Sequence, residues 1–212
     1  MLNYDDNTLD CPRQTRFVVN HFAEARNLFF VEIGANDGTS WSNSYYLERE
    51  LGWRGICIEP HPTMFEKLSR DRKSTCLNVA VGDIEAEVDF FSIEGDWPAN
   101  MLSGVLDKYE PQHRERVMEE YKKYGGTASV VKVKCVPFGE ILKKNNISRI
   151  DYLSIDTEGS EISILQSIDF SSVDIGLLGV EVNYDRAPVD DILIKHGYKF
   201  IKQVEGDAFY NK

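Results

Sequence analysis

Five short apolar runs decide what this chain can fold into: residues 28–33, 55–59, 75–81, 152–155 and 175–182. Each is strand-sized, and each leads into acids, glycines or an asparagine. Four of them are followed by a helix-length segment, at 40–51, 62–70, 160–167 and 190–196. Strands alternating with helices point to a parallel sheet covered on both faces. Gly52 and Gly197 mark helix ends, and Pro62 opens a helix at its first position. Further helices are predicted over 17–27 and 138–145, and residues 198–203 and 208–210 supply closing strands. The expected fold is a doubly wound, Rossmann-like α/β sheet, mostly parallel with an antiparallel closing strand, in one domain spanning 1–212.

The rhythm breaks once. Residues 107–124 are strongly polar and end on Gly125-Gly126. They read as an exposed helix within an insertion of about 104–127, and long insertions sit over a ligand face or on the surface. Before it, 88–93 reads as an edge strand. After it, the Val-Lys alternation of 130–136 reads as a half-exposed strand.

Composition limits the function classes. The 212 residues carry a formal charge of −11, with 42% hydrophobic and 28% charged residues. That balance is ordinary for a globular domain. It argues against nucleic acid, whose binding needs a basic stripe. The apolar runs are too short to span a bilayer, so no membrane is expected. The opening MLNYDDNTLDCPRQTR lacks the apolar stretch of a secretory signal, and a cytoplasmic protein is the expectation. Cys11, Cys57, Cys76 and Cys135 form no C-x-x-C pair and read as reduced thiols. His21, His113 and His196 read as structural or solvated helix residues.

In open α/β sheets, ligands bind beyond the carboxyl ends of the strands. Acids crowd that edge here: Glu32, Glu59, Asp83, Asp156, Glu158 and Glu181. A dinucleotide needs G-x-G-x-x-G after the first strand. The chain has Gly34-x-x-x-Gly38 instead, with Asn36 and Thr39 at the other glycine positions, and Glu32 would face the pyrophosphate. An NAD-dependent oxidoreductase is therefore disfavoured, and no G-K-[ST] follows to make a P-loop. S-adenosylmethionine fits better, since it carries a sulfonium, an ammonium, a carboxylate and a ribose but no phosphate. On this reading Glu32 accepts from the ammonium. The backbone of Gly34, Ala35 and Asn36 lies against the ligand, where glycine permits close approach. The amides near Thr39 and Ser40 hold the carboxylate. Glu59, followed by Pro60, takes the ribose hydroxyls, and Ala80 and Val81 line the adenine. Asn36 and Asp37, between Gly34 and Gly38, either touch the ligand or only shape the turn.

The stretches VEIGANDG (31–38), CIEPHP (57–62), NVAVGD (78–83), VKCVPFGEIL (133–142) and YLSIDTEGSEISIL (152–165) occur in that order. Together they resemble the FkbM-type methyltransferases, a class I S-adenosylmethionine-dependent family. The last is the most distinctive, an apolar strand followed by acid-x-Glu-Gly-x-Glu. The resemblance covers roughly 29–210 and gives the polar helix at 107–124 no family role. It implies a class I methyltransferase architecture and S-adenosylmethionine as cofactor, with Asp156 and Glu158 at the reaction centre and Asp156 also against the cofactor. The expected reaction is O-methylation of a hydroxyl on a sugar, glycan or small natural product. The crowded acids favour a neutral polyol or a cationic acceptor over a phosphorylated one. The alternative is a non-catalytic interaction module on the same fold.

A hydroxyl nucleophile needs a base within hydrogen-bond reach. Asp156, Glu158 and His61 are the candidates, and the sequence does not choose among them. Glu181 and Asn183 point the same way on one strand and are expected to bind acceptor hydroxyls. With Asp156 they also form an all-oxygen donor set for magnesium or calcium, though the spacing is no known metal signature. Trp97 either stacks on a sugar ring or caps the core.

Overall fold

The computed structural model describes residues 11–95 and 98–212. Along the chain these form α1 (Arg13–His21), β1 (Phe29–Ile33), α2 (Tyr45–Leu51), β2 (Arg54–Ile58), α3 (Pro62–Asp71), β3 (Thr75–Leu77), β4 (Ala80–Gly82), β5 (Ala86–Glu94) and β6 (Gly104–Val105). There follow α4 (Pro111–Tyr124), β7 (Thr127–Pro137), α5 (Phe138–Lys144), β8 (Arg149–Ile155), α6 (Glu161–Ser167), β9 (Asp174–Glu181), α7 (Ala187–Lys195), β10 (Lys199–Val204) and β11 (Asp207–Asn211).

Seven strands make the main sheet, in the order β10-β11-β9-β8-β1-β2-β3. β3, β2, β1, β8 and β9 run parallel, and β11 and β10 close the edge antiparallel. The strand order reverses direction at β1, so the gap between the ends of β1 and β8 is where a ligand crevice opens. The doubly wound sheet expected from the alternation is present, with its antiparallel closing strands.

Period two divides the strand side chains between two cores. Val31 and Ile33 pack with Phe138, Ile141, Ile155 and Leu165 beneath α5 and α6. Phe30 packs on the other face with Phe17, Leu47, Trp53 and Phe209, beneath α1 and α2. Each such fully buried side chain contributes roughly 1.5–3 kcal/mol of hydrophobic stabilisation. Glu32 shares the parity of Phe30, which decides where its carboxylate goes.

The second sheet departs from expectation. Residues 75–81 are not one strand. They divide at Asn78, whose side chain donates to the carbonyls of Glu59 (2.8 Å) and Pro60 (3.2 Å). β3 before the break belongs to the main sheet. β4 after it pairs with β7 in a separate four-stranded sheet, β4-β7-β5-β6. Residues 88–93 are no edge strand of the main sheet either, because β5 pairs antiparallel with β7 from Ala86↔Cys135 to Glu94↔Thr127. The polar helix α4 connects β6 to β7 and so belongs to this second layer.

Two helices are also displaced. α1 ends at His21, and Ala23, Glu24 and Asn27 beyond it have positive φ (48°, 58° and 61°), which no helix tolerates. α2 begins at Tyr45 rather than at 40, because the residues ahead of it fold back onto Glu32. No described helix is long and apolar enough to cross a membrane.

Candidate active site

The first turn sets the geometry. Gly34 has φ +89°, and a Cβ there would lie 1.6 Å from the Asp156 carbonyl oxygen. Glycine is therefore obligatory where the end of β8 crosses β1. Asn36 follows with φ 48°, and its amide donates to Glu59 Oε2 at 2.7 Å. The His61 amide donates to Glu59 Oε1, also at 2.7 Å. Glu59 is thus fixed at the floor of a cleft with one amide on each oxygen. Burial pushes its carboxyl up to about 7, and the two amides hold it lower than burial alone would.

That cleft encloses about 680 Å³, its mouth included. Ala80, Val81, Phe90 and Val105 make an apolar wall drawn from the second sheet. Asn36, Glu59, Asp156 and Ser160 are among the polar groups that line it. The side-chain oxygens of Asn36 and Ser160 are buried there without a hydrogen-bond partner among the described residues. No lysine or arginine lines the cleft among the described residues, so it offers nothing to a pyrophosphate.

Several residues assigned to the ligand from sequence are occupied otherwise. Glu32 lies under the start of α2 instead of in the cleft. It accepts from Ser42 Oγ (3.0 Å), the Asn43 amide (2.7 Å) and Ser44 Oγ (2.5 Å), with Arg72 at 3.5 Å. Its parity with Phe30 is the reason, and no oxygen is left for an ammonium group. The amides of Thr39 and Ser40 donate to Asp37 Oδ1 at 2.9 and 2.7 Å. Asp37 therefore shapes the turn, and those amides are not free to hold a carboxylate. Ala35 is packed into the core, and the Gly38 carbonyl accepts from Arg72 at 3.0 Å. Pro60 lines the cleft. Trp97 lies outside the described residues.

His61 reaches the cleft but is held at both nitrogens. Nδ1 caps α3 by accepting from the Met64 amide at 3.5 Å. Nε2 lies 3.0 Å from Ser92 Oγ and 3.4 Å from the Ile93 carbonyl. Burial lowers its pKa. A capping imidazole with both nitrogens engaged is badly placed to take a substrate proton.

The remaining acids gather at the ends of β8, β9 and β11. Glu158 has φ 54°, a strained conformation for a residue other than glycine. Asp156 and Glu181 lie close enough to perturb each other's ionisation, and Asp207 stands directly across from Glu181 in the β11–β9 register. Burial raises the pKa of Asp156, Glu158, Glu181 and Asp207 alike. Glu161 adds to the rise at Asp156. Glu161 itself caps the turn, accepting from Thr157 N (2.8 Å), Thr157 Oγ1 (2.7 Å) and Gly159 N.

The polar helix α4, read from its composition as an exposed insertion, supplies the counter-charge. Arg116 donates to Glu158 Oε2 and to Asn183 Oδ1, both at 2.5 Å. His113 lies beside Gly159 with Nε2 3.8 Å from Glu158, and burial and Arg116 lower its pKa to about 4. Asn183 is thereby committed to Arg116, so the set Asp156, Glu181 and Asn183 is not available to a metal. Among the described residues no group of three or more His, Cys, Asp or Glu has metal-binding spacing.

Asp156, Glu158 and Met101 border both the first cleft and a second chamber of about 860 Å³. Glu120, Glu181, Asp207, Arg116 and Trp41 also line the second chamber. The site is thus two chambers meeting at the end of β8.

Comparison with known proteins decides the family. The model of the methyltransferase FkbM domain matches residues 32–200. The chain belongs to the FkbM methyltransferase family. The methyltransferase sdnD of Sordaria araneosa is 27% identical over 164 residues, covering 68% of this chain and 61% of that protein. The chain thus spans about three fifths of that relative's length. An FkbM methyltransferase from Methylobacillus flagellatus superposes with a TM-score of 0.50 at 13% identity, covering 97% of this chain and 56% of the other. The FkbM family shares the class I methyltransferase fold, and the match begins at Glu32.

Proposed function

We propose that this FkbM-family chain binds S-adenosylmethionine in the first cleft and methylates a hydroxyl of a sugar or small natural product held in the second chamber. The observation that carries the reading is the junction of two chambers at Asp156, one suited to a nucleoside and one acidic. When bound, the cofactor supplies a methyl group already activated on a sulfonium. Glu59 would accept from the ribose hydroxyls, the Ala80–Val81–Phe90 wall would cover the adenine, and the unpartnered oxygens of Asn36 and Ser160 would take polar edges of the nucleoside. The methionine end of the cofactor would extend past Gly34 toward the end of β8, since Glu32 is committed elsewhere.

The chain's part in transfer is to align the acceptor, exclude water and remove one proton. Asp156 is the base of this reading. Glu158 is engaged by Arg116 and His61 by its cap, whereas Asp156 faces both chambers and carries a raised pKa that suits proton transfer near neutrality. Calorimetry with S-adenosylhomocysteine against NAD tests the first half of the reading. Uptake of the former alone is the expected result, and uptake of NAD in preference would sink it. A mass-spectrometric screen of glycans and natural products for a gain of one methyl group tests the second.

A further inference from the structure

The second chamber is charged unevenly. At one corner Glu158 has Arg116, which also bonds Asn183. At the other corner Glu181 and Asp207 face each other across β9 and β11; Arg116 is near enough to Glu181 to feel its charge, but among the described residues neither carboxyl has an ion pair. Asp207 is 3% exposed, lines the chamber, and accepts no side-chain hydrogen bond from any described residue. Glu181 Oε2 is buried and lacks a hydrogen-bond partner among the described residues. Among the described residues lining the chamber, Arg116 is the single cation. Residues 1–10 and positions 96 and 97 contain no lysine or arginine to supply a second.

A buried carboxyl pair without donors is costly unless a ligand completes it. A divalent metal does not fit, since no described cluster has metal-ligand spacing. The cofactor's own ammonium belongs to the first cleft, and neither Glu181 nor Asp207 lines that cleft. What the corner lacks is a compact donor of several N–H bonds that carries positive charge.

We propose that the second chamber recognises a protonated amine of the acceptor between Glu181 and Asp207, so that the molecule methylated is an amino alcohol of the amino-sugar or aminocyclitol kind, not a neutral sugar. The proposal rests on the two-chamber reading above. The amine would donate to both carboxylates, which would bind it ionised and release to solvent any proton they held in its absence. The neighbouring hydroxyl would then lie at Asp156, toward the first cleft.

The test uses three small probes on protein saturated with S-adenosylhomocysteine, at matched ionic strength: ethanolamine, ethylene glycol and glycolate. Calorimetry should find ethanolamine roughly ten-fold tighter than the other two. The Asp207→Asn and Glu181→Gln variants should lose that preference while keeping parental affinity for S-adenosylhomocysteine. Both substitutions remove buried charge, and a thermal midpoint at or above the parent's confirms folding. Equal binding of the three probes overturns the proposal. So does a loss of S-adenosylhomocysteine affinity in either variant, which would assign the pair to the cofactor. If the parent takes up no S-adenosylhomocysteine, the two-chamber reading fails by itself. The probes are then compared on the free protein, where a preference for ethanolamine that both variants abolish still upholds the amine site.

Discussion

A single buried guanidinium holds the loop ahead of α2. Arg72, with its side chain fully buried, donates to Gly38 O (3.0 Å), Ser42 Oγ (3.2 Å), Ser44 Oγ (2.8 Å) and Glu48 (3.3 Å) and approaches Glu32. Its planar group also lies 5.6 Å from the Phe30 ring centroid. Removing one partner of such a network strands the other charge in the core. Arg72→Met is therefore expected to cost roughly 3–5 kcal/mol in urea unfolding. The double variant Glu32→Leu/Arg72→Met should recover much of that loss, since no charge is then left alone. At the reaction centre, Asp156→Asn is expected to slow methyl transfer by about 10²–10⁴-fold if Asp156 is the base. Glu158→Gln should slow it less, because Arg116 already occupies that carboxylate. Single-turnover mass spectrometry on the identified acceptor would separate the two.

Helix α4 is the element whose meaning changes most between sequence and structure. Its polar composition reads as solvated, and Lys122 and Lys123 are indeed exposed. The same helix buries His113 and Val117 and lowers Arg116 onto Glu158. Arg116→Met should cost roughly 1–3 kcal/mol, because Glu158, only 14% exposed, loses its charged donor. The sharper readout is hydrogen exchange, in which the amides of α4 should lose protection while those of β8 and β9 keep theirs. Unchanged α4 exchange would mean that packing, not Arg116, docks the helix. The parallel strands and their turns were legible beforehand because continuous apolar runs and glycines are local signals. Glu59 at the cleft floor was legible for the same reason, since a strand end fixes where an acid points. The engagement of Glu32 was less so. It depends on Ser42, Ser44 and Arg72, ten to forty residues away, which no local pattern links. The second sheet was hidden because β5 and β7 pair across a long connection, and alternation alone does not say which sheet a strand joins.

The whole molecule carries a net charge of −11 and concentrates buried carboxyls at one edge of the main sheet, which gives its stability an inverted pH profile. Glu59, with its pKa raised from 4.5 to about 7, binds a proton more tightly folded than unfolded. A raised carboxyl pKa makes stability greatest below the unfolded pKa and lowers it as pH rises through the folded one. Asp156, Glu158, Glu181 and Asp207 are shifted in the same direction. His113 works the other way, since a pKa lowered to about 4 favours the folded state as pH rises from about 4 to 6.5. His61 and His21, also lowered by burial, act in the same sense, but above about pH 6.5 imidazoles are neutral folded or unfolded, and the five carboxyls set the trend. Glu59 alone accounts for a loss on the order of 3 kcal/mol between pH 4.5 and 7. Ligand-free protein is therefore expected to unfold at a lower temperature at pH 8 than at pH 5.5. Carboxyls of lowered pKa, such as Glu48, limit the gain at still lower pH. Glu59→Gln should flatten the slope, because glutamine keeps the shape and has no proton to lose. A thermal midpoint that rises steadily from pH 5.5 to 8 in the parent would mean that these carboxyls are ionised without penalty, and the charge argument for the second chamber would fall with it.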